Sequence, residues 1–149
     1  MPDAIVLRGL TKSFGRTVAV RDLDLAVPQG ALYGVIGPNG AGKTTAIRIM
    51  LSILLPDRGE VAVLGHRSAF EAKDRIGYLP EERGLYRKMR VGQFLRYMAR
   101  LKNADGNDLD ARIRQWLDRV GLGAVEQKRC EELSKGMQQK VQLVAAIIH

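Results

Sequence analysis

The segment Gly37–Thr44 constrains the fold of this chain more than any other feature. It reads GPNGAGKT and fits the pattern G-x-x-x-x-G-K-[ST]. The short apolar run 31–36 (ALYGVI) precedes it, and its composition is typical of a buried strand. Apolar residues then recur at helical spacing, at Ile47, Met50, Leu51 and Leu54. We therefore predict a strand, a glycine-rich loop and a helix that begins at Thr44.

The residue types in this loop suit a chain of phosphates. Glycines allow backbone N–H groups to surround an anion, and the following helix points its positive dipole end at that anion. Lys43 supplies a compact positive charge, and the Thr44 hydroxyl is an oxygen ligand for Mg²⁺. The sequence thus predicts a nucleoside triphosphate site whose candidate contacts are Asn39, Gly40, Ala41, Gly42, Lys43, Thr44 and Thr45.

The remaining pattern predicts strands first and helices later. Residues 4–10 and 17–27 are typical of an antiparallel pair, and residues 60–64 and 76–78 of further strands. Three apolar stripes with helical spacing follow, and they comprise Val91, Phe94, Leu95, Met98 and Leu101; Leu109, Ile113, Trp116, Leu117 and Val120; and Met137, Val141, Val144 and Ile148. This order indicates an α/β nucleotide-binding domain with a β arm and a helical insertion.

Positive charge is concentrated in one part of the chain. The formal net charge of the 149 residues is +8, and residues 83–102 contain seven basic side chains and no acidic one. Three interpretations of this stretch stay open: a solvated helix face, a nucleic-acid contact, or a contact with a membrane subunit or anionic lipid head groups.

Cysteine and hydropathy patterns exclude several protein classes. The single Cys130 excludes an internal disulfide and a multi-cysteine zinc site, and it fits a reducing compartment. His66 and His149 have no neighbouring His or Cys cluster, so we assign them no metal role. No apolar run reaches the ~18–20 residues of a membrane span, and the N-terminus lacks a signal-peptide pattern. We expect a soluble, cytoplasmic protein.

Several segments, taken in chain order, resemble the ATP-binding cassette (ABC) ATPases. The run LTKSFGRTVAVRDLDLAVPQGALYGVIGPNGAGKTT is similar to the opening of such a domain, and PDRGEVAVLGH to the segment after its first helix. The segment IGYLPEERGLY lies where the family has its Q-loop, and LSKGMQQKVQL resembles the signature motif LSGGQ. The resemblance implies an α/β fold, a P-loop NTPase of ABC type with an antiparallel β arm and an α-helical subdomain.

The same resemblance implies roles for individual residues. Phe14 matches the aromatic residue that stacks on adenine, although a core position is the alternative. Ser134 and Gly136 match the residues that bind the γ-phosphate of a partner protomer, and Ser134 also suits a helix N-cap. Glu81 replaces the Q-loop Gln as a Mg²⁺ ligand, or else faces solvent beside Arg83. The candidate catalytic residues are Lys43, Glu81, Ser134 and Gly136, and the candidate metal ligands are Thr44 and Glu81.

The chain also departs from the family pattern. Lys135 and Met137 replace the Gly and Gln of the signature. The variants IGYLPEERGLY and LSKGMQQKVQ together resemble the exporter branch that includes sodium-extrusion and drug-export ATPases. The family's Walker B strand, which ends in Asp and then Glu, and its switch histidine have no match before His149. We therefore expect a fragment truncated before the Walker B strand, which on its own does not turn over ATP.

The resemblance implies ATP and Mg²⁺ as ligands and a longer parent that hydrolyses ATP to power a membrane transporter, an exporter. Expected partners are a second protomer placed head to tail and a membrane permease subunit at the cytoplasmic face, with no nucleic acid. The alternatives are a soluble ABC-type ATPase of DNA repair or translation, or a fragment that only binds nucleotide. The expected domains are a nucleotide-binding core with the β arm (1–85), a helical subdomain (86–134) and the signature helix (135–149). The sequence does not specify the transported substrate.

Overall fold

The computed structural model describes residues 2–80 and 84–149 of the chain. These residues form two compact units, Met1–Lys73 and Asp74–His149. The division predicted from the sequence has boundaries after residues 85 and 134, and that three-part division stays a prediction.

The first unit is built on a three-stranded antiparallel sheet. Strand β1 (Asp3–Phe14) lies between β2 (Thr17–Pro28) and β3 (Arg58–Val63). Leu7 of β1 pairs with Leu25 on one side and with Val61 on the other. Leu7 itself is 1% exposed, so the centre of the sheet contributes to the core. The predicted antiparallel β arm is confirmed, and its strands are longer than predicted.

Helix α1 (Lys43–Met50) follows the glycine-rich loop and buries Ala46, Ile49 and Met50. The apolar stripe predicted for this helix was partly wrong, because Ile47 is 37% exposed and the helix ends before Leu54. Ser52 adopts a left-handed φ of 57°, and the N–H of Ile53 donates back to the carbonyl of Arg48 at 2.9 Å. The chain therefore leaves the helix one turn earlier than the hydrophobic periodicity indicates.

Two predicted strands are wrong. Residues 31–36 and 76–78 have no strand pairing, and Leu32 and Ile36 are 103% and 97% exposed. A buried parallel strand needs neighbouring parallel strands, and each strand pair among the described residues is antiparallel. The apolar run before the loop is consequently unpaired and solvent-accessible.

The second unit contains the three predicted helices. They are α2 (Val91–Arg100), α3 (Leu109–Arg119) and α4 (Lys135–Ile147). Their apolar stripes meet in one core cluster, in which Phe94, Ile113 and Val141 are 2% exposed or less. Leu101, predicted for the buried stripe of α2, lies beyond the helix end and is 54% exposed.

Candidate functional site

The glycine-rich loop is shaped by two residues with left-handed backbone. Gly40 and Gly42 have φ values of 81° and 84°, and Gly42 is the N-cap of α1. A Cβ atom placed on Gly42 would lie 2.1 Å from the carbonyl oxygen of Ala19 in β2. Only glycine fits this position, because both the φ value and the close backbone contact exclude a side chain. The contact holds the beginning of α1 against the β arm.

Lys43 bends its side chain back over the loop. Its Nζ donates to the carbonyl oxygens of Gly37 at 2.7 Å and Pro38 at 2.8 Å. The ammonium group therefore lies at the loop, where it has neutral acceptors. An anionic phosphate oxygen is a stronger acceptor for the same group, since its full negative charge adds Coulomb attraction that a neutral carbonyl lacks.

The first turn of α1 presents amide groups and hydroxyls that suit an anion. The N–H of Ala46 makes the first intrahelical bond, to the carbonyl of Gly42 at 2.9 Å. The N–H groups of Lys43, Thr44 and Thr45 precede that bond, as expected at a helix N-terminus. This turn contains no acidic side chain, and Thr44 is exposed. The geometry therefore favours negative charge beside Thr44.

Phe14 ends β1 at the hairpin that leads to β2. It pairs with Thr17 across the turn, and the residue is 51% exposed. Phe14 is therefore not buried in the core, so the alternative of a core position for this residue is wrong. The ammonium of Lys12 lies over the ring, 5.7 Å from its centroid.

The signature segment begins helix α4 in the second unit. Ser134 is the N-cap, and its Oγ accepts a hydrogen bond from the N–H of Met137 at 3.3 Å. Gly136 is exposed, and a Cβ placed on it would have no neighbour within 4 Å. The predicted N-cap is confirmed, and both residues lie at an accessible helix N-terminus.

Sequence reasoning missed the side chain that holds this segment in place. The Nε2 atom of Gln138 donates to the carbonyl oxygens of Cys130 and Leu133, each at 3.1 Å. These bonds fix the backbone immediately before Ser134. The signal in the sequence was the position of Gln138, which directly follows the residues matched to the signature motif.

The remaining residues singled out by the sequence do not form a second functional site within the described part of the chain. Glu81 lies outside the described residues, so its predicted role stays a prediction. Cys130 is 1% exposed, and its burial raises the pKa of the thiol. Trp116 packs partly buried against the core of the second unit, as predicted.

Within residues 2–80 and 84–149, no three His, Cys, Asp or Glu side chains are grouped as a metal site would require. In the same ranges we find no helix with the length and apolar content of a membrane span.

A family model described as "ABC transporter" matches residues 20–149. Among curated proteins, an uncharacterized ABC transporter ATP-binding protein YhaQ of Bacillus subtilis is 44% identical over 94% of this chain and 47% of its own length. The daunorubicin resistance ATP-binding protein DrrA3 of Streptomyces coeruleorubidus is 36% identical over 97% of this chain and 47% of its own length. The chain thus spans about half the length of these relatives.

A solved structure has the same fold. It is described as the ATP-binding subunit of an ABC transporter, and it superimposes with a TM-score of 0.88 at 26% identity. The match covers 97% of this chain and 62% of that one. The predicted fold class, part of a P-loop NTPase fold with an antiparallel β arm and helices, is therefore confirmed.

Proposed function

This chain belongs to the ABC transporter family, and from that premise we propose that it carries the ATP-binding site of a transport ATPase subunit. The observation that supports the proposal most is the loop Gly37–Thr44 with Lys43 folded over it. ATP binding would exchange the two carbonyl contacts of the Lys43 ammonium for contacts with phosphate oxygens. The free N–H groups at the start of α1 would receive the remaining phosphate charge.

Mg²⁺ fits this site as the partner of the nucleotide. Mg²⁺ in such sites takes one or two protein oxygens and completes its shell with phosphate oxygens and water. The exposed Thr44 hydroxyl in the first turn of α1 supplies one such oxygen, and we propose Glu81 as a second. When bound, the ion would neutralise charge on the phosphates during transfer.

Phe14 is proposed to bind the base of the nucleotide. Its exposed ring lies on the hairpin whose second strand, β2, contacts Gly42 through Ala19. An aromatic face suits a purine, since offset stacking of two planar rings is favourable. The candidate contacts for phosphate and for base are thus both in the first unit.

We further propose that two protomers combine head to tail around ATP. Ser134 and Gly136 are exposed at the N-terminus of α4, so their backbone amides are accessible to a partner's γ-phosphate. In this arrangement each nucleotide is bound by the phosphate loop of one protomer and the signature segment of the other.

The basic stretch 83–102 is proposed to contact a membrane permease subunit at the cytoplasmic face. Within the part of the chain that the structure describes, Arg87 and Lys88 are exposed and make no ion pair. Exposed charge that is not paired among the described residues suits an acidic surface on another subunit. Arg87→Glu should reduce co-purification with the permease, whereas Arg114→Glu on α3, with the same change of charge, should not. Equal loss for both variants would contradict this assignment.

The ATPase proposal is tested by phosphate release at saturating ATP and Mg²⁺. We expect Lys43-dependent turnover from the full-length protein and none from these 149 residues alone. The drug-resistance name of one relative favours export as the direction of transport. Turnover by the 149-residue chain at ~1 s⁻¹ or more would contradict the expectation that essential catalytic groups lie outside it.

A further inference from the structure

Asp57 is bonded to the end of strand β1 through three separate contacts. Its Oδ1 atom lies 2.8 Å from Nζ of Lys12, and its Oδ2 atom accepts from the N–H of Ser13 at 2.7 Å. Its own N–H donates to the carbonyl of Thr11 at 2.9 Å. Asp57 directly precedes β3, so one residue fixes both backbone and side chain of the segment that leads into Phe14.

Lys12 joins this arrangement to the aromatic ring. Its side chain is only 17% exposed, although it carries a charge, and it contacts both Asp57 and the Phe14 ring. The ammonium lies 5.7 Å from the centroid of the ring and occupies one of its two faces. Phe14 is nevertheless 51% exposed as a residue, which leaves ring surface away from Lys12 accessible.

We propose that the Lys12–Asp57 ion pair is a positioning device that presents the second face of Phe14 to the planar base of a nucleotide. This inference rests on the proposed function, since it assigns Phe14 to base binding. Lys12 blocks one face of the ring, and Asp57 fixes Lys12 and the adjacent Ser13 backbone. Pre-organisation of this kind reduces the entropy that is lost when a ligand orders its own contact residue.

The Lys12–Asp57 ion pair should affect binding of the base and not binding of the phosphates. This difference makes the proposal testable. ATP uses both the loop at α1 and the Phe14 face, whereas inorganic tripolyphosphate has no base and uses only the loop. A loss of positioning should therefore weaken ATP binding and leave tripolyphosphate binding unchanged. A merely structural role for Asp57 would alter both ligands or neither.

The experiment measures dissociation constants of both ligands by calorimetry on the full-length protein at fixed Mg²⁺. We expect Asp57→Asn to raise the ATP constant about threefold to tenfold and to change the tripolyphosphate constant less than about twofold. Lys12→Met is the second variant, with the same expected pattern, and it keeps the test valid if Asp57→Asn unfolds. Asp24→Asn is the matched control, because its Oδ1 also accepts a backbone N–H in this sheet, that of Gly9 at 2.8 Å.

The outcomes are distinguishable. Equal effects of Asp57→Asn on both ligands, or the same ATP loss in Asp24→Asn, would overturn the positioning role. Unchanged ATP binding in both Asp57→Asn and Lys12→Met would overturn it as well. If the wild type binds neither ligand, or if Lys43→Ala changes neither constant, the proposed function fails and this inference fails with it.

Discussion

Arg96 and Glu126 form an ion pair between helix α2 and the segment that leads towards α4. The Nη2 atom of Arg96 lies 2.9 Å from Oε1 of Glu126, and its Nε atom lies 2.5 Å from Oδ1 of Asp110 in α3. A Cβ on Gly92 would lie 2.8 Å from Cγ of Glu126, so the glycine makes room for the pair. The two carboxylates raise the pKa of the guanidinium, chiefly through the hydrogen bond that Arg96 donates to Asp110.

Arg96→Met should destabilise the second unit by about 1–3 kcal/mol, because it leaves the partly buried Glu126 without its cation. Urea unfolding followed by circular dichroism measures the change. Arg100→Met is the control, since Arg100 and its partner Asp105 are 63% and 57% exposed and should contribute about 0.5 kcal/mol or less. Equal destabilisation by the two variants would contradict the account.

Gly77 contacts the backbone of α4 directly. A Cβ at this position would lie 2.1 Å from the carbonyl oxygen of Ala146. Gly77→Ala should therefore cost about 1–3 kcal/mol of unfolding free energy, because backbone on both sides has to shift. Gly136→Ala, which meets no neighbour within 4 Å and lies in a helix, should be neutral or stabilise by up to about 1 kcal/mol. A destabilising Gly136→Ala with a neutral Gly77→Ala would contradict this packing.

The thiol of Cys130 should react slowly in the folded protein. It is 1% exposed, and burial raises its pKa, so the thiolate is scarce at neutral pH. We expect its reaction with Ellman's reagent to be roughly 100-fold slower in buffer than in denaturing urea at the same pH. Similar rates in the two conditions would show that the segment before Ser134 opens freely.

Asp57 gives stability a defined dependence on pH. The hydrogen bond from Lys12, and then the one from the Ser13 N–H, lower the pKa of this carboxyl from its ordinary value of 3.8. The stabilisation by the ionised Asp57 carboxylate is therefore complete above the pKa that this group has in the unfolded state. It is lost as the pH falls through the lowered folded-state pKa. The difference in unfolding free energy between wild type and Asp57→Asn should be constant near pH 6–7 and shrink below about pH 4. A difference that grows on acidification would contradict the assignment.

Local sequence patterns predicted most strands and helices of this fold, because these patterns depend on residues that are close together in the chain. The alternation in β1 and β2 and the stripes of α2, α3 and α4 predict elements that the structure contains. The run 31–36 has the composition of a buried strand, but burial depends on partner strands, and composition cannot supply them. The ending of α1 at Met50 was missed because the left-handed serine that follows it, Ser52, leaves no hydrophobic signal.

The sequence likewise predicted one part of the candidate site and missed another. The loop Gly37–Thr44 was predictable because its glycines and Lys43 are contiguous and their spacing is fixed by the chemistry of phosphate binding. The contact of Lys12 with Asp57 was not predictable, since 45 residues separate the two in sequence and only the pairing of β1 with β3 brings them together. Gln138 was missed because its acceptors are backbone carbonyls, which every residue carries.

Calorimetric titration of this chain with ATP and Mg²⁺ tests the central claim most directly. We expect one binding site. Lys43→Ala should weaken ATP binding about tenfold to a hundredfold, because the phosphates lose their charge-assisted contacts with the Lys43 ammonium. Arg48→Ala removes the same charge from the last turn of the same helix, away from the loop, and should leave the affinity unchanged. Equal affinities in wild type and Lys43→Ala would contradict the claim that the loop Gly37–Thr44 binds the phosphates of ATP.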